Sequence, residues 1–159
     1  MRVRTGTLPS VPALSIPADL VTVHTDGSCR HGRGGWAAIL EFRGQSLELS
    51  GAERDTTNNR MELRAAITAL ECLKRPSSVV IVTDSQYLQH AFTKGWLRSW
   101  QRNGWLTTTR EPVKNRELWE RLLTLCATHS VNWSWTRGHV GNPLNERADR
   151  LASTARDAG

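Results

Sequence analysis

LVTVHTDGSCRHGRGGWAAILEF, residues 20–42, decides the architecture. Leu20-Val-Thr-Val-His-Thr25 alternates apolar and polar side chains, the period of a β-strand, and runs into Asp26-Gly27-Ser28. Arg30-His31-Gly32-Arg33-Gly34 is a Gly-rich turn, and Gly35 to Phe42 reads as a second strand. Arg43-Gly44 turns the chain again, and Gln45 to Ser50 alternates as a third. The three form an antiparallel meander.

Helical and strand patterns then alternate. Asn59 to Lys74 carries an apolar stripe at Leu63, Ala66, Ile67, Leu70 and Leu73, and Pro76 ends it. Ser78 to Thr83 is a short, continuously apolar strand, the pattern of a strand covered on both faces. Asp84-Ser85 open a helix, a basic Trp-rich stretch follows, and Pro112 precedes a further helix with Leu118, Trp119, Leu122, Leu125 and Cys126 inward. Val131 to Thr136 alternates as a last strand, and Pro143 to about Arg156 is the final helix. This order predicts an α/β fold: a five-stranded mixed sheet, three strands in an antiparallel meander plus two parallel ones, flanked by helices.

A chain of 159 residues suits one domain with its own core. Residues 1–18, with three prolines, two arginines and no acid, read as a tail; 19–159 form the body, with a basic Trp-rich protrusion at about 94–112. A net charge of +6 favours a polyanionic partner. No apolar run is long enough to cross a bilayer. Three widely spaced cysteines, Cys29, Cys72 and Cys126, fit neither a disulfide framework nor a zinc site and point to a reducing cytoplasm. A monomer is expected.

Four acids stand out by position: Asp26 where the first strand meets Gly27, Glu62 early in the long helix, Asp84 at the end of the buried strand, and Asp149 beside apolar positions of the last helix. Each also has a plain structural reading. Asp26-Gly27 reads as a turn, Asp84 as an N-cap, Glu62 as the partner of Asn59 in a capping box, and Asp149 as an exposed helix charge. Brought to one point, the four would repel and raise one another's pKa unless cations neutralised them. An oxygen-only cluster suits Mg²⁺, with Mn²⁺ as substitute.

Five blocks, in order, resemble the signatures of type 1 ribonuclease H. They are Thr25-Asp26-Gly27-Ser28-Cys29; Thr56-Thr57-Asn58-Asn59-Arg60-Met61-Glu62-Leu63; Thr83-Asp84-Ser85-Gln86-Tyr87; Pro112-Val113-Lys114-Asn115; and Trp135-Thr136-Arg137-Gly138-His139, continued by Asn145-Glu146-Arg147-Ala148-Asp149. The resemblance spans about residues 20–155. It implies the ribonuclease H-like fold and an endonuclease that hydrolyses the RNA strand of RNA–DNA hybrids, leaving 5′-phosphate and 3′-hydroxyl ends. By motif, Asp26, Glu62, Asp84 and Asp149 would hold two metal ions, and His139 would assist proton transfer or product release. Cys29, Asn58, Asn59 and Gln86 would read the RNA strand in the minor groove. Thr57 and Asn115 match a DNA-phosphate pocket, and the cations and rings around Trp96, Trp100 and Trp105 would take the DNA strand, some rings anchoring the protrusion and at least one touching DNA.

Two features depart from the family. The Gly-rich turn is shorter by about two residues, which puts in doubt a 2′-hydroxyl contact from it. Glu41 is expected to stand beside the DNA-phosphate pocket where a cation is usual, which would loosen hybrid binding unless Arg43 compensates. The main alternative is a non-catalytic hybrid-binding module of the same fold; such proteins usually lose an acid, and here all four are present. A different nuclease or strand-transfer enzyme on this fold is the other.

Overall fold

The computed structural model describes residues 20–137 and 142–159. The tail read over residues 1–18 lies outside them. Five strands form one sheet in the order β3-β2-β1-β4-β5. They are β1 (Leu20–Arg30), β2 (Arg33–Phe42), β3 (Gln45–Glu53), β4 (Ser78–Thr83) and β5 (Ser130–Trp135). The first three are antiparallel, while β1–β4 and β4–β5 are parallel. The helices are α1 (Asn58–Glu71), α2 (Gln86–Thr93), α3 (Trp96–Asn103), α4 (Arg116–Thr128) and α5 (Pro143–Ala158). The expected five-stranded mixed sheet is therefore present.

The meander is closed by two tight hairpins. Arg30 pairs with Arg33 across His31-Gly32, and Phe42 with Gln45 across Arg43-Gly44. Both central residues of each turn have positive φ: 53° and 77° in the first, 53° and 79° in the second. That is the type I′ signature, whose twist matches the flanking strands. The Gly-rich segment is thus a two-residue turn. Its Gly32 carbonyl accepts from Thr56 N–H at 3.0 Å, tying the hairpin tip to the entry of α1.

Side chains on the meander alternate between two cores. Val21, Val23, Ala38 and Leu40 join the main core with Leu63, Ile67 and Leu70 of α1 and Trp119 and Leu122 of α4. Ala37 and Ile39 face the other way and pack with Ala148 and Ala152 of α5. β1 obeys the same alternation. In the β1–β2 register Val23 lies opposite Leu40, whereas His24 and Asp26 lie opposite Ile39 and Ala37. Asp26 therefore belongs to the face that α5 covers. In β4, Val79 and Ile81 are fully buried but Val80 is half-buried, so the apolar run reflects less complete cover than its composition predicts.

Gly35 is where α5 comes nearest the sheet. A Cβ there would lie 2.0 Å from the Ala152 carbonyl oxygen and 2.5 Å from the Arg156 nitrogen, both backbone atoms. Gly35→Ala should destabilise the protein by about 2 kcal/mol through overpacking. Urea unfolding would read this as a lower midpoint at unchanged slope.

Candidate active site

β1 runs straight through Asp26-Gly27-Ser28 to Arg30, so Asp26-Gly27 is strand and not turn. Gly27 faces the α1 side of the sheet. A Cβ on it would meet Glu62 N at 2.6 Å and the Met61 carbonyl carbon at 2.7 Å. The missing side chain lets the first turns of α1 press against β1, and Glu62 is delivered beside Asp26. Glu62 takes no part in a capping box. Thr57 caps α1 by accepting from Arg60 N–H at 3.2 Å, and Glu62 lies two residues deeper, 5% exposed.

Parallel pairing brings in the third acid. The β1–β4 register sets His24 opposite Val82, and two residues further on Asp84 follows β4 beside Asp26. Asp84 does not cap α2; Ser85 does, its Oγ accepting from Leu88 N–H at 3.1 Å. The Asp84 side chain is left to the sheet end. Carboxylate oxygens of Asp26, Glu62 and Asp84 all lie within 4.8 Å of one another. Asp149, half-buried on α5, reaches hydrogen-bonding contact with Asp26. All four acids line one open, polar cleft with Gly27, Asn58, Asn59, Ser85, Gln86 and Tyr87.

Burial, the contact with Asp149 and the charge of Asp84 push the Asp26 carboxyl up to about 8. Burial foremost, then the charges of Asp26 and Asp84, holds Glu62 well above the usual carboxylate range. Glu62 Oε1 is buried with no hydrogen-bond partner among the described residues. A buried carboxylate oxygen without a donor is costly, and a divalent cation at this point would satisfy it and relieve the repulsion. The donor set is all oxygen, as hard cations such as Mg²⁺ require. The residues present fit a divalent ion.

The other expected site residues divide. Asn58, Asn59 and Gln86 are exposed on the cleft, whereas the Cys29 thiol donates to the Thr56 carbonyl at 3.4 Å behind it. Arg60 joins Thr57 to Asn115: its N–H is the donor capped by Thr57, and its Nη1 donates to Asn115 Oδ1 at 3.2 Å. Trp96, Trp100 and Trp105 pack in succession as tilted rings with centroids 6.0 Å and 5.9 Å apart, and Trp100 meets Trp119 of the core at 5.9 Å. Trp105 is buried beneath the Arg116 guanidinium and anchors the segment, while Trp96 and Trp100 are half-buried. His139 lies outside the described residues.

Glu41 requires a correction. It pairs with Thr22 and Ser46, toward the end of β2 away from the hairpin tip that holds Thr56. Neither it nor Arg43 adjoins Thr57. Asp55, in the left-handed region at φ 52°, immediately precedes Thr56-Thr57, and Glu53 Oε1 accepts from Thr56 Oγ1 at 3.5 Å. Tyr87 lines the cleft but has no assigned role in the sequence, where it only closes the block Thr83-Asp84-Ser85-Gln86-Tyr87. Its hydroxyl oxygen accepts from Asn115 Nδ2 at 3.1 Å and Trp119 Nε1 at 2.9 Å, and it stands at the cleft wall. Nothing in local spacing marks it; its partners come from α4 and the residue that precedes it.

The ribonuclease H family model matches residues 18–157. The chain belongs to the ribonuclease H family. A ribonuclease H from Nitratidesulfovibrio vulgaris is 58% identical over 134 residues, covering 83% of this chain and 86% of the relative. One from Bradyrhizobium diazoefficiens is 55% identical over 135 residues, covering 84% and 87%. Among solved structures, LC9-RNase H1, a type 1 RNase H with the type 2 active-site motif, is similar with a TM-score of 0.77 at 34% identity, covering 91% of this chain and 75% of that one. The family is one of endoribonucleases that act on RNA–DNA hybrids with divalent metal ions, and the acidic cleft is in keeping with that.

The raised Asp26 carboxyl has a consequence for stability. Between the unfolded value near 3.8 and the folded value of about 8, the folded state holds a proton that the unfolded chain releases. This contribution is fully present below pH 3.8 and is lost as pH rises through about 8. In EDTA, Asp26→Asn should flatten the fall in stability between pH 5 and pH 8 and raise stability at pH 8. Urea titrations at the two pH values measure it.

Proposed function

We propose that this chain hydrolyses the RNA strand of RNA–DNA hybrids at the cleft formed by Asp26, Glu62, Asp84 and Asp149, which would hold two Mg²⁺ ions, or Mn²⁺ in their place. The observation that carries the reading is the meeting of three carboxylates within 4.8 Å, with a fourth against Asp26. When bound, the ions supply Lewis acidity that lowers the pKa of the attacking water and offsets charge on the leaving 3′-oxygen. The products are a 5′-phosphate and a 3′-hydroxyl.

The chain's own residues orient the substrate. Asn58, Asn59 and Gln86 stand on the cleft with amide donors and acceptors suited to base edges and 2′-hydroxyls of a minor groove. Cys29 contributes from behind by fixing the Thr56 carbonyl at the entry of α1. The Thr57 hydroxyl, which accepts from Arg60, retains its own proton for a DNA phosphate, and Asn115 is held beside it by the same arginine. Trp96 and Trp100, with Lys94, Arg98 and Arg102, form the surface for the DNA strand; Trp105 holds that surface to the core. His139, by its place in the Arg137-Gly138-His139 motif, is assigned to proton transfer or product release. Three free cysteines fit a reducing cytoplasm, and the reading is of a monomer. No helix of the described residues is long and apolar enough to cross a membrane.

A non-catalytic binding module gains no support, because every acid of the cluster is present and the relatives are ribonucleases H. Asp26→Asn and Asp84→Asn should leave folding intact and lower hybrid cleavage more than about 100-fold, since changes merely around a metal site already cost about 10–100-fold. Cleavage of labelled hybrid with and without EDTA, against double-stranded RNA and DNA, measures this; near wild-type cleavage by Asp84→Asn would defeat the assignment.

Phosphate binding by the protrusion predicts steep salt dependence. Replacing Lys94, Arg98 and Arg102 together by alanine should flatten the slope of log affinity against log salt by about 0.7–0.9 for each phosphate left without its cation. Filter binding of hybrid in EDTA reads the slope. An unchanged slope would remove the protrusion from the interface.

A further inference from the structure

Asp26 and Asp149 are both acids, yet they are held in contact. Something else must fix α5 on β1. Two residues before Asp26 on the same face of β1 is His24, and one helical turn before Asp149 on α5 is Asn145. His24 Nδ1 lies 2.7 Å from Asn145 Oδ1. Both are buried, at 7% and 1% exposure. A carboxamide oxygen accepts, so Nδ1 is the ring nitrogen that carries the proton.

The spacing of the two rungs agrees on either side. Two residues of strand advance about 6.6 Å, and four residues of helix about 6 Å. The His24–Asn145 contact and the Asp26–Asp149 contact are therefore consecutive rungs of one β1–α5 seam. A third rung follows: Arg156 Nη1 donates to Ser28 Oγ at 2.5 Å, and Ser28 is again two residues on along β1. The acid–acid rung is bracketed by the His24–Asn145 and Arg156–Ser28 hydrogen bonds. Asn145 is doubly fixed, because its backbone N–H donates to the capping Asn142 Oδ1 at 3.1 Å.

We propose that His24 is a positioning residue for the metal site: its buried hydrogen bond to Asn145 sets the register of α5 so that the Asp149 carboxylate is held at Asp26. His24 touches neither substrate nor metal and acts through Asp149. The inference rests on the carboxylates being the metal site, and the test separates the two.

Mn²⁺ binding to the full chain without substrate would be measured by calorimetry for the wild type, His24→Phe, His24→Gln, Asp149→Asn and His24→Phe/Asp149→Asn, with thermal melts alongside. His24→Phe keeps a ring but loses the donor; it should weaken Mn²⁺ binding about tenfold, in the range for groups that orient a metal ligand. His24→Gln, which restores an amide donor, should recover most of the loss. In the Asp149→Asn background, His24→Phe should cost nothing further. Wild-type Mn²⁺ affinity in His24→Phe, whether or not the melting temperature falls, would overturn the inference while leaving the metal assignment standing. So would an undiminished loss in the Asp149→Asn background. Wild-type affinity in Asp149→Asn would overturn both.

Discussion

Repulsion between carboxylates packed at one end of a sheet is the constraint to which much of the molecule answers. Asp26, Glu62 and Asp84 bring their oxygens within 4.8 Å, and Asp149 joins them from α5. Without a counter-charge the cluster retains protons: Asp26 is pushed up to about 8, and Glu62 is raised with it. The packing energy of the rest of the fold holds the acids where they would not otherwise gather. A divalent ion converts that stored disadvantage into affinity, because it offsets the repulsion and gives a counter-charge to Glu62 Oε1, which has no hydrogen-bond partner among the described residues.

The devices that hold the acids in place are ordinary ones, set at unusual closeness. Gly27 admits the backbone of α1 to β1, and Gly35 admits α5 to β2. Thr57 and Ser85 cap α1 and α2, which leaves Glu62 and Asp84 clear of capping duty. Two type I′ hairpins keep the meander short, so that β1 stays at the centre of the sheet with α1 on one face and α5 on the other. A second network, from Thr57 through Arg60 and Asn115 to Tyr87 and Trp119, runs from the entry of α1 to the aromatic anchor of the protrusion. The acidic cleft and the Trp-rich segment are thereby joined through one hydrogen-bonded network.

Much of this is legible in the sequence for physical reasons. Strand alternation around His24 and the helical stripe from Leu63 to Leu70 report burial on one face, and burial is what organises the sheet and α1. Boundaries are less legible: β1 continues five residues past Thr25, because strand pairing with β2 overrides the turn tendency of Asp-Gly. The four acids stand out, but their local contexts favour capping and turn roles; Thr57 and Ser85 take the caps, and strand pairing with β2 keeps Asp26-Gly27 out of a turn. Glu41 is misplaced because the resemblance sets it beside the pocket, whereas strand pairing puts it toward the end of β2 away from Thr56. The pairing of His24 with Asn145 gives no signal, although Asn145 belongs to the block that ends in Asp149. One looks like a polar strand residue and the other like a helix-start residue, and their contact spans 121 positions of the chain.

The acids gather in a partly protonated state that divalent metal resolves. Calorimetric titration with Mg²⁺ at pH 7, in two buffers of different ionisation heat, counts the protons released on binding. The wild type should release protons on binding, and Asp26→Asn markedly fewer. Binding without proton release, at an affinity that Asp26→Asn leaves unchanged, would contradict this.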